Sequence, residues 1–499
     1  MWNIQRELEE ALEYSGDCYT VFSPPFDGSS QPKEKIAVVP IADEQTINRK
    51  INRLATSKTL SANERIDAIR EYSKRLRKNV EKYALIASKE SGIPFIDMYF
   101  RINYTLSTDP QEYAEAIFGE KWKKILDGEW LEISAKIGKA YEKRLPHGVY
   151  LNISPNNDSI GVSIKTKLEL LLAGNKVIDK PGSIVPVAHT LSMKIVKEVL
   201  PEHTDVLVGP GSKVPYIAMK NENLAGIMFT GESRHGRLVE AEAIKHGVKY
   251  RGEYEGSNVQ LVLKDYDVEM AALLCAHGAR AFNGIACANA PIVSFEDKKN
   301  YKLFKERLVE LASDFNKHIG DPSKKDTLLG PLVKESLAEK CEKVFRACRE
   351  NGLEVLVGGE RRGYLVDFTL IEGEPWKIAE KVKDLDLRYS LEHGLFAGPL
   401  LFFNNNFKGT LEWIVKNSNG REGYALRNNI LTYDEEKAKR IADLLGSSMN
   451  VTNIYLFEER QRWAGRGRSS TLGGKPLVEM AMDSKILNVA PKDYNPFRT

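Results

Sequence analysis

The chain carries no cysteine pattern that could build a covalent framework. Its five cysteines (Cys18, Cys275, Cys287, Cys341 and Cys348) are scattered over 499 residues, odd in number and without a CxxC. That excludes a disulfide scaffold and the usual zinc spacings, and favours a reducing, cytoplasmic setting with no metal. Long apolar runs are missing as well. The longest candidates, residues 168–173 and 399–403, are core-sized and far short of the roughly 18 residues of a membrane span. The opening ten residues are charged and hold no apolar signal stretch. Nor is there an excess of one charge: 72 Lys+Arg stand against 69 Asp+Glu, a formal net charge of +3. A dedicated nucleic-acid binder normally shows a clear basic surplus, so none is expected here. No internal repeat and no low-complexity tract interrupts the chain.

What is present is the composition of a globular protein, 42% hydrophobic and 28% charged. The length suggests about three structural units at roughly 150 residues each. Apolar residues at threes and fours predict helices over 44–55 and 61–90. Alternation over 128–144 predicts a solvent-reaching hairpin. From residue 148 the texture changes to strand and helix in turn. Strands are expected at 148–154, 176–179, 204–208 and 225–230, with helices at 163–173, 188–200, 214–221 and 236–246. A second alternating block follows, with strands at 259–264 and 291–295 and helices at 268–282, 300–316 and 333–351; a further segment, 354–359, comes after them. Short strands return at 485–489 and 494–497. Such alternation implies an α/β fold with parallel, doubly wound sheets, which bind ligands beyond the carboxyl ends of their strands.

Two residues stand out as candidate chemistry. Cys287 lies in Phe282-Asn283-Gly284-Ile285-Ala286-Cys287-Ala288-Asn289-Ala290, where a turn signal and small neighbours leave the thiol accessible. Most cysteines are buried packing residues, and this one is set apart only by its surroundings. Glu253 lies 34 residues upstream in Tyr250-Arg251-Gly252-Glu253-Tyr254-Glu255-Gly256. A Cys nucleophile and a Glu base sharing a cleft would suit covalent acyl chemistry.

With these residues, the chain resembles the NAD(P)-dependent aldehyde dehydrogenase superfamily over most of 40–490. The resemblance rests on Pro146-His147-Gly148-Val149, Ile153-Ser154-Pro155-Asn156-Asn157, Ala173-Gly174-Asn175-Lys176-Val177-Ile178-Asp179-Lys180-Pro181, Phe229-Thr230-Gly231, and Gly320-Asp321-Pro322 with Leu329-Gly330-Pro331-Leu332, in that order. It implies a Rossmann-like cofactor domain (1–124 and 146–250), an α/β catalytic domain (251–450), and a small β oligomerisation arm (125–145 and 480–499). It further implies a thiohemiacetal and then a thioester on Cys287. Asn157 and the Cys287 backbone N–H would form the oxyanion hole, and Glu253 would be the deacylating base. Ser154, Pro155, Lys180, Ser183, Gly211, Thr230, Gly231 and Glu232 fall along the implied cofactor path. Ser183, where NAD-preferring members often carry Glu, leans the cofactor towards NADP over NAD. Arg460, Arg462 and Arg466 fall in the loop expected to line the aldehyde entrance and suit an anionic aldehyde. The partners implied are a small-molecule aldehyde and further copies of the chain in a homodimer or homotetramer, with no nucleic acid and no membrane.

The chain also departs from the pattern. Glu232 replaces a Ser whose hydroxyl meets the cofactor pyrophosphate at a helix N-terminus, Glu255 replaces a Gly, and Leu395 replaces a Glu that holds the nicotinamide ribose. Thr166 replaces a Lys, between Lys165 and Lys167. Two alternatives therefore accompany the main reading. One is a coenzyme A-dependent acylating dehydrogenase or acyl-CoA reductase, and the other a catalytically silent member with a structural or binding role.

Overall fold

The computed structural model describes residues 3–13, 16–31, 34–136, 138–420, 423–447, 449–452, 466–472 and 475–489. Two sheets organise these residues. The first has five parallel strands in the spatial order Thr204–Val206, Lys176–Lys180, Val149–Ile153, Leu224–Thr230 and Lys249–Glu253. Its central strands are buried on both faces, which is why Val149–Ile153 and Leu224–Thr230 read as largely apolar runs rather than as alternation, while Lys176–Lys180 buries charged side chains as well. The second has seven strands in the order Glu354–Val357, Thr369–Glu372, Leu400–Asn404, Ile292–Phe295, Val259–Val262, Arg427–Leu431 and Met449–Val451. Only Glu354–Val357 runs antiparallel to its neighbour. The α/β, parallel-sheet class read from the sequence is the one observed.

Boundaries moved where a cap was overlooked. The helix expected from residue 163 begins at Ser159, because the Asp158 carboxylate accepts from the Gly161 N–H at 3.0 Å. A side chain at Gly161 would collide with Asp158 and Arg101, so glycine here marks a crowded helix rather than a loop. The long helical stretch 61–90 divides into Ala62–Arg77 and Val80–Ser91, the first opened by a Ser61/Glu64 capping box.

Other expectations concern the small sheets. The hairpin expected over 128–144 is present as Leu131–Ile133 paired with Lys139–Pro146. Met482–Val489 joins it as a third antiparallel strand along its full length. The strand expected at 494–497 lies outside the described residues. An N-terminal hairpin, Cys18–Phe22 with Lys35–Pro40, was not anticipated. It lays Tyr19 against the first sheet, the hydroxyl donating to the Ser183 carbonyl at 2.9 Å. Among the described residues no helix is long and apolar enough to cross a membrane.

A buried polar network fixes the strand Lys176–Lys180. Asp179 is fully buried and accepts from Lys167 Nζ at 2.7 Å, Ser163 Oγ at 2.7 Å and Asn152 Nδ2 at 2.8 Å, with His189 Nε2 at 3.0 Å. Ser159 Oγ pairs with the other ring nitrogen of His189 at 2.9 Å and accepts from the Gly182 N–H at 3.1 Å. The network thus reaches from the strand to the turn that follows it. Burial alone would raise the Asp179 carboxyl, but Lys167 and His189 outweigh it and hold the group well below the usual carboxylate range. A depressed carboxylate stabilises the fold at neutral pH, and this contribution is lost as pH falls through the folded value. Asp179→Ala, which strands a buried lysine, is expected to cost about 3–5 kcal/mol in denaturant unfolding at pH 7. A shift no larger than that of an exposed substitution would remove the network from the list of structural supports.

Candidate active site

The loop carrying Cys287 is held by side-chain amides. The helix Val268–Arg280 gives way to a tight turn in which Phe282 (φ 57°) and Asn283 (φ 52°) are left-handed. Each such residue costs about 1–2 kcal/mol, least for Asn, so the turn needs support from elsewhere. Asn283 supplies part of it, donating to the carbonyls of Gly92 (3.0 Å) and Pro331 (3.2 Å) and accepting from the Gly330 N–H at 3.0 Å. Gly284 follows where a Cβ would lie 1.9 Å from the Gly398 carbonyl oxygen, so no other residue fits. Asn289 then braces the loop from inside. It accepts from the Ala286 N–H at 2.7 Å and donates to the carbonyls of Gly278 (2.8 Å) and Ala281 (3.0 Å). Finally Asn258 donates to the carbonyls of Cys287 and Asn289, both at 2.8 Å. The half-buried thiol is left at the wall of a cleft of about 1410 Å³.

Asn157 and Glu253 line the same cleft. The Asn157 side-chain amide donates to the Ile285 carbonyl at 2.6 Å, two residues before Cys287. Glu253 closes the outer strand of the first sheet and is buried, its Oε1 accepting from Ser470 Oγ at 2.5 Å. The segment around Ser470 is stitched to that strand: Tyr254 N–H donates to the Ser469 carbonyl at 2.8 Å, and Thr471 N–H to the Gly252 carbonyl at 2.9 Å. Burial first, and the Glu253 carboxylate second, push the Cys287 thiol up to about 12, while Arg101 acts in the opposite sense. The thiol is therefore neutral at pH 7 in this state.

The other half of the cleft lies at the carboxyl ends of the first sheet. Ser154, Pro155, Lys180, Ser183, Gly211, Thr230, Gly231 and Glu232 all line it. Lys180 Nζ donates to Ser183 Oγ at 3.0 Å and to the Pro181 carbonyl at 2.9 Å, and burial lowers its ammonium to about 8. Ser183 Oγ in turn donates to the Gly209 carbonyl at 3.3 Å. Ser154 Oγ and Thr230 Oγ1 are buried without a hydrogen-bond partner among the described residues. Hydroxyls left that way in a cleft call for a polar ligand, and a dinucleotide's riboses and phosphates fit the demand. Gly182 sits where a Cβ would fall within 2.7 Å of the Asn156 side-chain oxygen and the Pro155 carbonyl. These residues fit the adenosine end of a nicotinamide dinucleotide.

Some candidate positions behave differently. The Glu232 side chain, about 61% exposed, turns to His235 at 3.0 Å. Leu395 lines the cleft, and Thr166 does not, its hydroxyl being bonded to the Asn152 side chain at 2.9 Å. Arg460 and Arg462 lie outside the described residues. The backbone of Arg466 pairs with Ala425, and nothing is described of its side chain. Sequence reasoning missed Asn258, Asn283, Asn289 and Ser470. The turn signal at Asn283-Gly284 marked the loop, but no local pattern announces which carbonyls an asparagine will reach across the fold.

With the fold and cleft in view, the chain can be set beside known proteins. The sequence model of the aldehyde dehydrogenase family matches residues 29–484, and the chain belongs to that family. It is 29% identical over 245 residues to an alpha-ketoglutaric semialdehyde dehydrogenase of Bacillus subtilis, spanning about half of each protein (49% of both). To a lactaldehyde dehydrogenase of Methanococcus maripaludis it is 24% identical over 451 residues, covering 86% of this chain and 88% of the relative. Among solved structures, the NAD+ complex of an aldehyde dehydrogenase from Bacillus cereus superposes with a TM-score of 0.80 at 19% identity. That match covers 96% of this chain and 94% of the other. At that identity the likeness speaks for the fold.

The placement of Glu253 beside the thiol makes a signed prediction. Glu253→Gln removes a charge that raises the Cys287 thiol, so more thiolate forms at any given pH. Iodoacetamide labelling of Cys287 is expected to accelerate several-fold at pH 8, with its pH profile displaced to lower pH. An unaltered profile would show that the carboxylate does not act on the thiol.

Proposed function

We propose that this chain oxidises a small polar aldehyde to the carboxylic acid, using a nicotinamide dinucleotide and a covalent intermediate on Cys287. The observation that carries the reading is convergence. Cys287, the Asn157 amide and the Glu253 carboxylate come from three separate elements and line one cleft with the hydroxyls of Ser154 and Thr230, which have no partner among the described residues. In this reading 1–124 and 146–250 form the cofactor domain and 251–450 the catalytic domain.

The chain's own residues divide the chemistry as follows. The Cys287 thiol releases its proton to water in the cleft, and the thiolate adds to the aldehyde carbon, forming the C–S bond as the carbonyl double bond opens. The oxygen, now negative, is received by the Asn157 amide and the Cys287 N–H; removing one such donor typically costs about 100- to 1,000-fold in turnover. The dinucleotide, when bound, supplies the hydride acceptor. The acyl group then remains as a thioester on Cys287. Glu253, oriented by Ser470, takes a proton from water as the water oxygen bonds to the acyl carbon. The C–S bond breaks, the thiolate is restored and the acid departs. Lys180 and Ser183 would hold the adenosine ribose, and the uncharged Ser183 supports NADP over NAD, since no carboxylate there repels a 2′-phosphate.

For the substrate, the cleft wall beyond Cys287 is polar: Arg101 pairs with Asp158 at 2.6 Å and Lys165 with Glu169 at 2.9 Å, beside Tyr104 and Thr105. This supports a hydroxylated or anionic aldehyde, with Arg460, Arg462 and Arg466 as further hydrogen-bond donors to its anionic group. The names of the two relatives, an alpha-ketoglutaric semialdehyde and a lactaldehyde dehydrogenase, fall in that range. Glu253 favours hydrolysis over transfer to coenzyme A, and the full set of cleft residues weighs against a silent protein. A panel of polar aldehydes with NADP, NAD and added coenzyme A tests all of this. Cys287→Ala is expected to abolish turnover and Asn157→Ala to lower it about 100- to 1,000-fold. Substantial turnover by Cys287→Ala would overturn the covalent mechanism, an absolute need for coenzyme A the hydrolytic one, and a clear NAD preference the role of Ser183.

The three-stranded arm leaves Ile133, Ile486, Leu487 and Val489 exposed. Apolar residues on a small protruding sheet favour cover by another copy, and a homodimer or homotetramer supplies it. The free state of the cysteines supports a cytoplasmic location. Light scattering is expected to give two or four chains, falling to one for the double substitution Ile486→Lys and Leu487→Lys; a monomeric wild type would refute the arm.

A further inference from the structure

The helix Ser233–Lys245 begins at the cofactor half of the cleft, two residues after Gly231. Its first N–H, that of Ser233, donates to Glu255 Oε2 at 2.9 Å, and the Ser233 hydroxyl donates to the other oxygen of the same carboxylate. The leading donors at a helix end that ordinarily attracts an anion are thus already engaged by an anion of the chain itself. Glu232, the preceding residue, points away to His235. Thr230 Oγ1, buried and without a partner among the described residues, marks the same corner of the cleft as prepared for a polar ligand.

Glu255 is held in this position by the chain around it. Tyr254 is buried against Phe229, its hydroxyl paired with that of Tyr250 at 3.0 Å. On the other side, a Cβ at Gly256 would fall 2.5 Å from Leu426 and 2.7 Å from the Asn258 side-chain oxygen. The backbone at 254–256 therefore has little freedom, and only the Glu255 side chain can move readily. We propose that Glu255 is a carboxylate latch occupying the phosphate seat at the start of the helix Ser233–Lys245, and that dinucleotide binding requires its release. The inference rests on the dinucleotide reading above. It makes Glu255 the residue that sets cofactor affinity, through a charge competing with the pyrophosphate for the same donors.

Titration of the full-length protein by calorimetry tests the latch directly. NADP, NAD and ADP-ribose are expected to bind Glu255→Gln and Glu255→Gly at least tenfold more tightly than wild type. Adenosine, which has no phosphate, is expected to bind all three proteins equally. Thermal melts accompany both variants, and the near-isosteric Gln form keeps the test valid should the Gly form fail to fold. Equal dinucleotide affinities in wild type and variants would overturn the latch while leaving the cofactor reading intact. Weaker binding by the variants would overturn it too, making Glu255 a cofactor ligand. Absence of dinucleotide binding in every protein would remove the cofactor reading and the latch together.

Discussion

Three asparagine amides hold the loop that carries Cys287, and the rest of the cleft wall depends on them. A turn with two successive left-handed non-glycine residues does not persist through backbone preference alone. Asn283 ties it to two distant chain segments, Asn289 fills its interior, and Asn258 grips the carbonyls at Cys287 and Asn289. All three side chains are buried, so each amide hydrogen bond forms away from competing water, and each would be expensive to leave unmade. An amide suits this task because it both donates and accepts without bringing a charge near the thiol. A carboxylate in the same place would add to the burden that Glu253 already imposes.

The five-stranded sheet was legible because its signal is local. Short apolar runs between amphipathic helices need no knowledge of what they touch, and strands such as Val149–Ile153 and Lys176–Lys180 appear within a residue or two of expectation. Cys287 and Glu253 stood out from their local surroundings and Asn157 and Lys180 from family likeness, and all four line one cleft. What stayed hidden depends on partners far apart in the chain. Ser470 reaches Glu253 over 217 positions, and Asn283 reaches Gly92 over 191. The N-terminal hairpin escaped for a related reason. Its strands are short and partly exposed, with too little alternation to stand out, and their burial of Val21, Ala37 and Val39 and the Tyr19 bond to Ser183 depend on distant segments.

The cleft has two characters. Around Lys180 and Ser183 the groups are neutral or weakly basic and a buried hydroxyl has no partner among the described residues; at Ser233 the N–H and hydroxyl are already taken. Beyond the thiol, positive and negative side chains alternate and largely cancel. A site with this distribution discriminates by where charge can be accommodated rather than by net attraction.

The seating of Glu253 also bears on solubility. Lys249–Glu253 is the outermost strand of its sheet, and an exposed strand end invites pairing with a foreign chain. Ser469–Thr471 lies over its carboxyl end and takes up the hydrogen bonds of Gly252 and Tyr254. The contact that shields this edge from aggregation is the same one that orients the carboxylate. A covered strand end and a fixed Glu253 side chain therefore rest on one set of hydrogen bonds, and neither could be relaxed without relaxing the other.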